Sequence, residues 1–146
     1  MRVDVSAKVP HSPPAPRVRS LLSRASRLIP KSEFRSPKSE IELSVLFCGD
    51  TRMRTLNRVY RRKDRSTDVL AFPAGGAELL GDIVISVPYA SRQARRRGEP
   101  VSREIDRLLL HGLLHLSGYD HETDDGEMDA LEAKMRRRLG LEERKA

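Results

Sequence analysis

Between Val18 and Ile29 the apolar residues Val18, Leu21, Leu22, Ala25, Leu28 and Ile29 recur every three or four positions, with Arg17, Arg19, Arg24 and Arg27 between them. That spacing predicts an amphipathic helix with a basic outer face. Before it, residues 2–5 alternate polar and apolar as a short strand would, and the prolines at 10, 13, 14 and 16 predict irregular chain over 6–16. Pro30 ends the helix, and the polar stretch 31–40 leads to Ile41, Leu43, Val45 and Phe47, whose period of two predicts a half-buried strand. Leu46 and Cys48 make the end of that strand apolar on both faces.

Gly49 then turns the chain, and Asp50 is the expected N-cap of a helix carrying Met53, Leu56, Val59 and Tyr60. TDVLAFP reads as a short buried strand closed by Pro73, AGGAELLG as a turn or hairpin, and GDIVISV as a second β-branched strand. A helix starting near Pro88 runs toward Gly98, with Arg95, Arg96 and Arg97 at its negative pole. Ser102 is the expected cap of the next helix, which from Leu108 is apolar on nearly every side and so should be buried and central. Asp124 with Glu127 resembles a capping box for a last helix whose Met128, Leu131, Met135 and Leu139 face inward. The arginines at 136–138 and residues 140–146 should be solvated, the latter as a frayed end. Helices and strands without regular βα alternation predict an α+β fold: a small mixed sheet of about four strands packed with several helices.

Length and composition narrow the picture. With 146 residues, 38% of them hydrophobic, the chain is expected to be one domain, 1–146, around a single core. Twenty-eight Lys and Arg against twenty-one Asp and Glu leave a net charge of +7, which favours a polyanionic partner, although a merely solvated arginine-rich surface gives the same count. Six aromatic residues and no tryptophan argue against an extended base-stacking platform, so phosphate contacts should dominate. Cys48 is the only cysteine, so no intramolecular disulfide forms and a reducing cytoplasm is the natural compartment. The N-terminus has no signal-peptide apolar region, and no run approaches the ~18 apolar residues of a membrane span.

The chemistry concentrates in HGLLHLSGYDH, residues 111–121, which holds three of the four histidines. His111 and His115 lie four residues apart and project from one helix face. Gly118 can take positive φ and end the helix, so that Tyr119 and Asp120 carry His121 back toward the first two imidazoles. Three nitrogen ligands with no cysteine nearby suit an open, catalytic zinc site with one ion per chain rather than a closed structural one. The competing reading of His111 and His115 as satisfied core histidines is weakened by the third histidine. The spacing also matches the long metalloprotease signature. Gly112, however, stands where those peptidases carry a glutamate base, which disfavours a peptidase.

HGLLHLSGYDH resembles the signature of the YbeY family of zinc-dependent endoribonucleases, which also has glycine after the first histidine. LNRVYRRKDRSTDVLAFP from Leu56 and GDIVIS from Gly81 resemble two further blocks of the family in order and content. The resemblance covers roughly residues 41–131 and is loose over the first forty. Ala71 stands where the family usually has serine, a departure that touches one local hydrogen bond and little else. The resemblance implies a zincin-like fold with His111, His115 and His121 as metal ligands and Arg61 as the functional arginine beside them. A surface salt bridge is the competing role for Arg61, since Arg58, Arg62 and Arg65 are equally visible.

From the resemblance the expected activity is cleavage of single-stranded RNA, in 3′-end maturation of small-subunit ribosomal RNA and ribosome quality control. Arg61 and His111 are the expected catalytic residues, and Arg58, Arg61, Arg62 and Lys63 the expected RNA contacts. Ribosomal proteins and a ribosome-assembly GTPase are implied as further partners; a membrane and a preference for DNA are not. Gly112 offers no base, which leaves direct attack by a metal-activated water or a proton carried by a histidine such as His111; water and the RNA 2′-hydroxyl both remain candidate nucleophiles. Asp120 is either a carboxylate orienting a ligand imidazole or an indifferent turn residue. Two other functions stay open: a zinc-stabilised RNA-binding assembly factor without catalysis, and a metal-dependent peptidase or other hydrolase.

Overall fold

A computed structural model describes residues 1–30, 41–74, 79–120 and 122–142. In chain order the elements are β1 (Arg2–Ala7), α1 (Ala15–Ser26), β2 (Glu42–Cys48), α2 (Asp50–Arg61), β3 (Val69–Pro73), β4 (Leu79–Ser86), α3 (Val87–Arg97), α4 (Val101–Leu116) and α5 (Glu127–Leu139). The expected α+β architecture is what forms. The four strands make one mixed sheet in the order β1-β2-β4-β3, with β1, β2 and β4 parallel and β3 antiparallel to β4 at the edge. The hairpin turn expected between β3 and β4 falls at 75–78, outside the described residues, as does the polar stretch 31–40.

Period-two alternation sorts the strand side chains onto two faces. Leu43, Val45, Phe47, Ala71, Ile83 and Ile85 join the large core built with α1, α4 and α5. Cys48, Leu70 and Val84 pack with Met53 of α2 on the other face, which is why the end of β2 is apolar on both sides. Of the apolar residues expected to line α2, Met53 is buried and Leu56 half-buried, whereas Val59 and Tyr60 are exposed. Helix α4 is the central one: every residue from Glu104 to Ser117 is buried except His111 and His115. Its close approach to the sheet depends on Gly112, where a Cβ would meet three Ile83 carbons at 3.0–3.2 Å. A side chain at that position would have to push Ile83 of β4 aside.

Several boundaries differ from expectation. The irregular Pro-rich stretch is narrower than 6–16, because Ser6 and Ala7 pair within β1 and Pro16 sits in the first turn of α1, where its missing N–H costs nothing. Helix α2 is capped at Gly49 and α4 at Pro100, neither through a side chain, so Asp50 and Ser102 lie inside their helices. Asp50 instead ties three elements together: its carboxylate accepts from Ser66 Oγ (2.7 Å), Ser86 Oγ (2.9 Å) and Arg92 (2.8 Å). Helix α5 is capped at Gly126 rather than by a box at Asp124, although the Asp124 and Glu127 side chains accept nearby, from the backbone N–H of Met128 and of Asp125 respectively. Residues 140–142 are held rather than frayed: Leu141 is buried, and Arg103 donates to the carbonyls of Gly140 and Glu142. Among the described residues no helix is long and apolar enough to cross a membrane.

Candidate active site

The two gaps in the buried surface of α4 open onto a cleft of about 710 Å3, walled by the end of α2, the loop before β3, strand β3, α4 and the chain that follows α4. At its floor His115 Nε2 lies 3.1 Å from His111 Nε2. On the opposite side of the His111 ring, Nδ1 lies 2.7 Å from Glu132 Oε1 on α5. Burial raises the affinity of Glu132 for a proton, but the hydrogen bond and charge of His111, with Arg136 and His115, outweigh it and hold the carboxyl below its ordinary range. The Glu132 carboxylate is therefore placed to accept from His111 Nδ1, and Nε2 is the ring nitrogen that faces His115 and the cleft.

The two Nε2 atoms face one another at hydrogen-bond distance. A metal ion fits the same gap, since two nitrogens bound about 2.05 Å from one tetrahedral zinc are separated by about 3.3 Å. The carboxylate behind the imidazole is the usual orienting partner of a metal-bound histidine. Among the described residues no three histidine, cysteine or carboxylate side chains converge as a metal-binding group. His121 lies outside the described residues. Gly118 takes φ +102° immediately after α4, so the chain does turn where the third histidine would have to return.

Arg61 enters the cleft from the C-terminal end of α2. Its Nη2 donates to the carbonyl oxygen of Ala71 at 2.9 Å, and its Cζ lies 5.8 Å from the centre of the Phe72 ring. The bond that holds it runs to a main-chain carbonyl on the edge strand, which alanine supplies as well as serine would. Lys63 also lines the cleft, whereas Arg58 and Arg62 are not among its walls. Arg58 is 4.0 Å from Asp64 on the exposed side of α2, and Arg62 caps the helix with φ +58°. Of the four expected RNA contacts, the structure brings two to the histidines and leaves two outside.

Other residues stand in the cleft unannounced. Arg136, expected as a solvated end, is 3.5 Å from Glu132 Oε2 and forms part of the wall. Arg97 donates to both oxygens of the buried Glu104 at 3.1 and 2.9 Å, and burial, opposed by Arg97, raises the carboxyl's proton affinity. Arg107 is 1% exposed and pairs with Glu99 across the α3–α4 turn. Asp120 Oδ1 accepts from the backbone N–H of Glu122 at 3.0 Å, the turn role, and the carboxylate behind His111 is Glu132 instead. Among the described lining residues six are lysine or arginine and four are carboxylates, so a polyanion meets a net positive wall.

The family model described as Endoribonuclease YbeY matches residues 13–140. The chain belongs to the YbeY family. The match reaches well beyond 41–131 and takes in α1 and α5. Endoribonuclease YbeY of Solibacter usitatus is 52% identical over 97 residues, covering 66% of this chain and 65% of that protein. The Anaeromyxobacter dehalogenans protein of the same name is 50% identical over 110 residues, covering 71% and 57%. The chain thus spans less than two thirds of the length of these YbeY relatives. The solution structure of TM1509 from Thermotoga maritima superposes with a TM-score of 0.62 at 25% identity, covering 94% of this YbeY chain and 89% of that one.

Proposed function

We propose that the chain is a metal-dependent endoribonuclease acting on single-stranded RNA, with ribosomal RNA of the small subunit as its substrate and the cytoplasm as its compartment. The observation that carries the proposal is the pair of imidazole nitrogens 3.1 Å apart beside an arginine in a cationic cleft. His111 and His115 hold one zinc ion per chain, and His121 completes the set. Bound there, the ion polarises a phosphoryl oxygen and lowers the pKa of water to about 7.

The remaining work falls to the chain's own groups. Glu132 keeps the proton of His111 on Nδ1, so that Nε2 faces the ion. Arg61, aimed by the Ala71 carbonyl, presents its planar fork to the equatorial phosphoryl oxygens, on which negative charge grows toward the transition state. Lys63 and Arg65, also on the cleft wall, supply positive charge that draws the strand in. Ribosomal proteins and a ribosome-assembly GTPase, implied by the family, belong to the same proposal.

The test is cleavage of ribosomal RNA fragments by the purified, metal-loaded protein. His115→Ala should abolish it. Equal rates for variant and parent would assign the cleavage to a contaminant and remove the proposal. The alternative of a zinc-stabilised RNA-binding factor predicts that RNA is bound by parent and folded variants alike and cut by neither.

A further inference from the structure

Tyr60 is the penultimate residue of α2 and 64% exposed, the highest value among the large hydrophobic side chains of the described residues. It continues the stripe of Met53, Leu56 and Asn57 at the end of α2, where it meets Phe72 of β3. The two rings pack edge to face, with centres 5.2 Å apart and planes at 61°. Phe72 in turn lies against the Arg61 guanidinium that lines the cleft. A supported but largely exposed aromatic ring is therefore linked through Phe72 to the arginine assigned to the phosphate.

Resting on the endoribonuclease reading, we propose that Tyr60 is a nucleobase-stacking residue, binding a base of the single-stranded RNA next to the phosphate held by Arg61. An exposed tyrosine on a helix tip is ordinarily a side chain with little to do. Here three features select a base as its occupant. Phe72 braces the ring from one side, edge to face, and leaves it 64% exposed. Arg61 and Lys63 in the cleft hold phosphate close by. An unpaired strand carries a planar base beside every phosphate, and stacking on tyrosine is indifferent to which base it is. A single stacking residue of this kind is compatible with a chain too poor in aromatics for an extended platform.

The test uses the absence of tryptophan from the chain. In Tyr60→Trp the new indole is the only one, and its emission is followed in the full, metal-loaded chain on mixing with oligoadenylate, before cleavage begins, and with an abasic oligomer of equal length. The expected result is quenching by oligoadenylate and none by the abasic strand. In Tyr60→Ala, KM for a single-stranded substrate should rise on the order of ten-fold, with kcat and melting temperature close to the parent's, and Tyr60→Phe should restore the parental KM. An indole that does not respond while the anisotropy of labelled oligoadenylate reports binding overturns the assignment and leaves the nuclease reading standing. So does quenching by both oligomers, or an unchanged KM in Tyr60→Ala. Absence of anisotropy change in the parent itself defeats both.

Discussion

One contact, between His111 Nδ1 and Glu132 Oε1 at 2.7 Å, sets which way the first proposed metal ligand faces. Glutamine in place of the glutamate retains the shape and loses the charge, so Glu132→Gln should weaken metal affinity about 10- to 100-fold in a chelator competition while the fold persists. An unchanged affinity would reduce Glu132 to a packing residue. Arg61→Ala should lower kcat by about 10²- to 10³-fold with metal content constant, and Arg61→Lys should recover little of it because an ammonium cannot reproduce the planar fork. Loss of metal together with loss of rate would make Arg61 structural. The histidine pair was legible from a spacing of four. Glu132 was not read, although its signal is present: it stands four residues after Met128 and three before Met135, an acid on the inward stripe of α5 that needs a buried partner. Arg136 and Arg97 look in sequence like members of solvated arginine runs, and only their neighbours across the cleft distinguish them.

At the scale of the elements, the site depends on how closely α4 and β3 approach β4. Gly81 lies on β4 with φ +143°, and a Cβ there would run into the Phe72 carbonyl oxygen and lie 2.8 Å from Leu116 Cδ2. Gly81→Ala should therefore cost about 1–3 kcal/mol or more in denaturant unfolding; a parental midpoint would show that the strand shifts freely. Asp50 supplies a pH-dependent tie. The Arg92 hydrogen bond, helped by Ser66 and Ser86 and opposed by burial, lowers its pKa from 3.8 in the folded state. Its contribution is then present above the unfolded-state value and lost as pH falls through the lower folded one. The destabilisation caused by Asp50→Asn should accordingly be larger at pH 7 than at pH 3, and equal penalties at both would deny Asp50 that role. Helix and strand periods fixed the elements well. The caps went astray by one or two positions because Asp50 spends its acceptors on other elements and because Pro100, already extended, starts α4 without a side-chain cap.

Across the whole molecule, the metal pair sits on a helix buried between sheet and helices by side chains that owe nothing to an ion. Removal of metal should therefore leave the far-UV circular dichroism and a cooperative melt intact, lowering the melting temperature only by the lost binding free energy. Collapse on chelation would favour the reading in which zinc holds the fold. The mixed sheet and central helix could be inferred from patterning, because a helix apolar all round has to be covered on all sides. The β3–β4 hairpin could be inferred too, but not the full strand order, since β2 between β1 and β4 depends on pairings between segments far apart in sequence. That order is what gives Arg61 an edge-strand carbonyl to hold. The most direct test of the account is the metal content of the purified parent beside His111→Ala and His115→Ala. One equivalent per chain in the parent, with both variants folded and empty, is the predicted result; metal retained in either folded variant would contradict it.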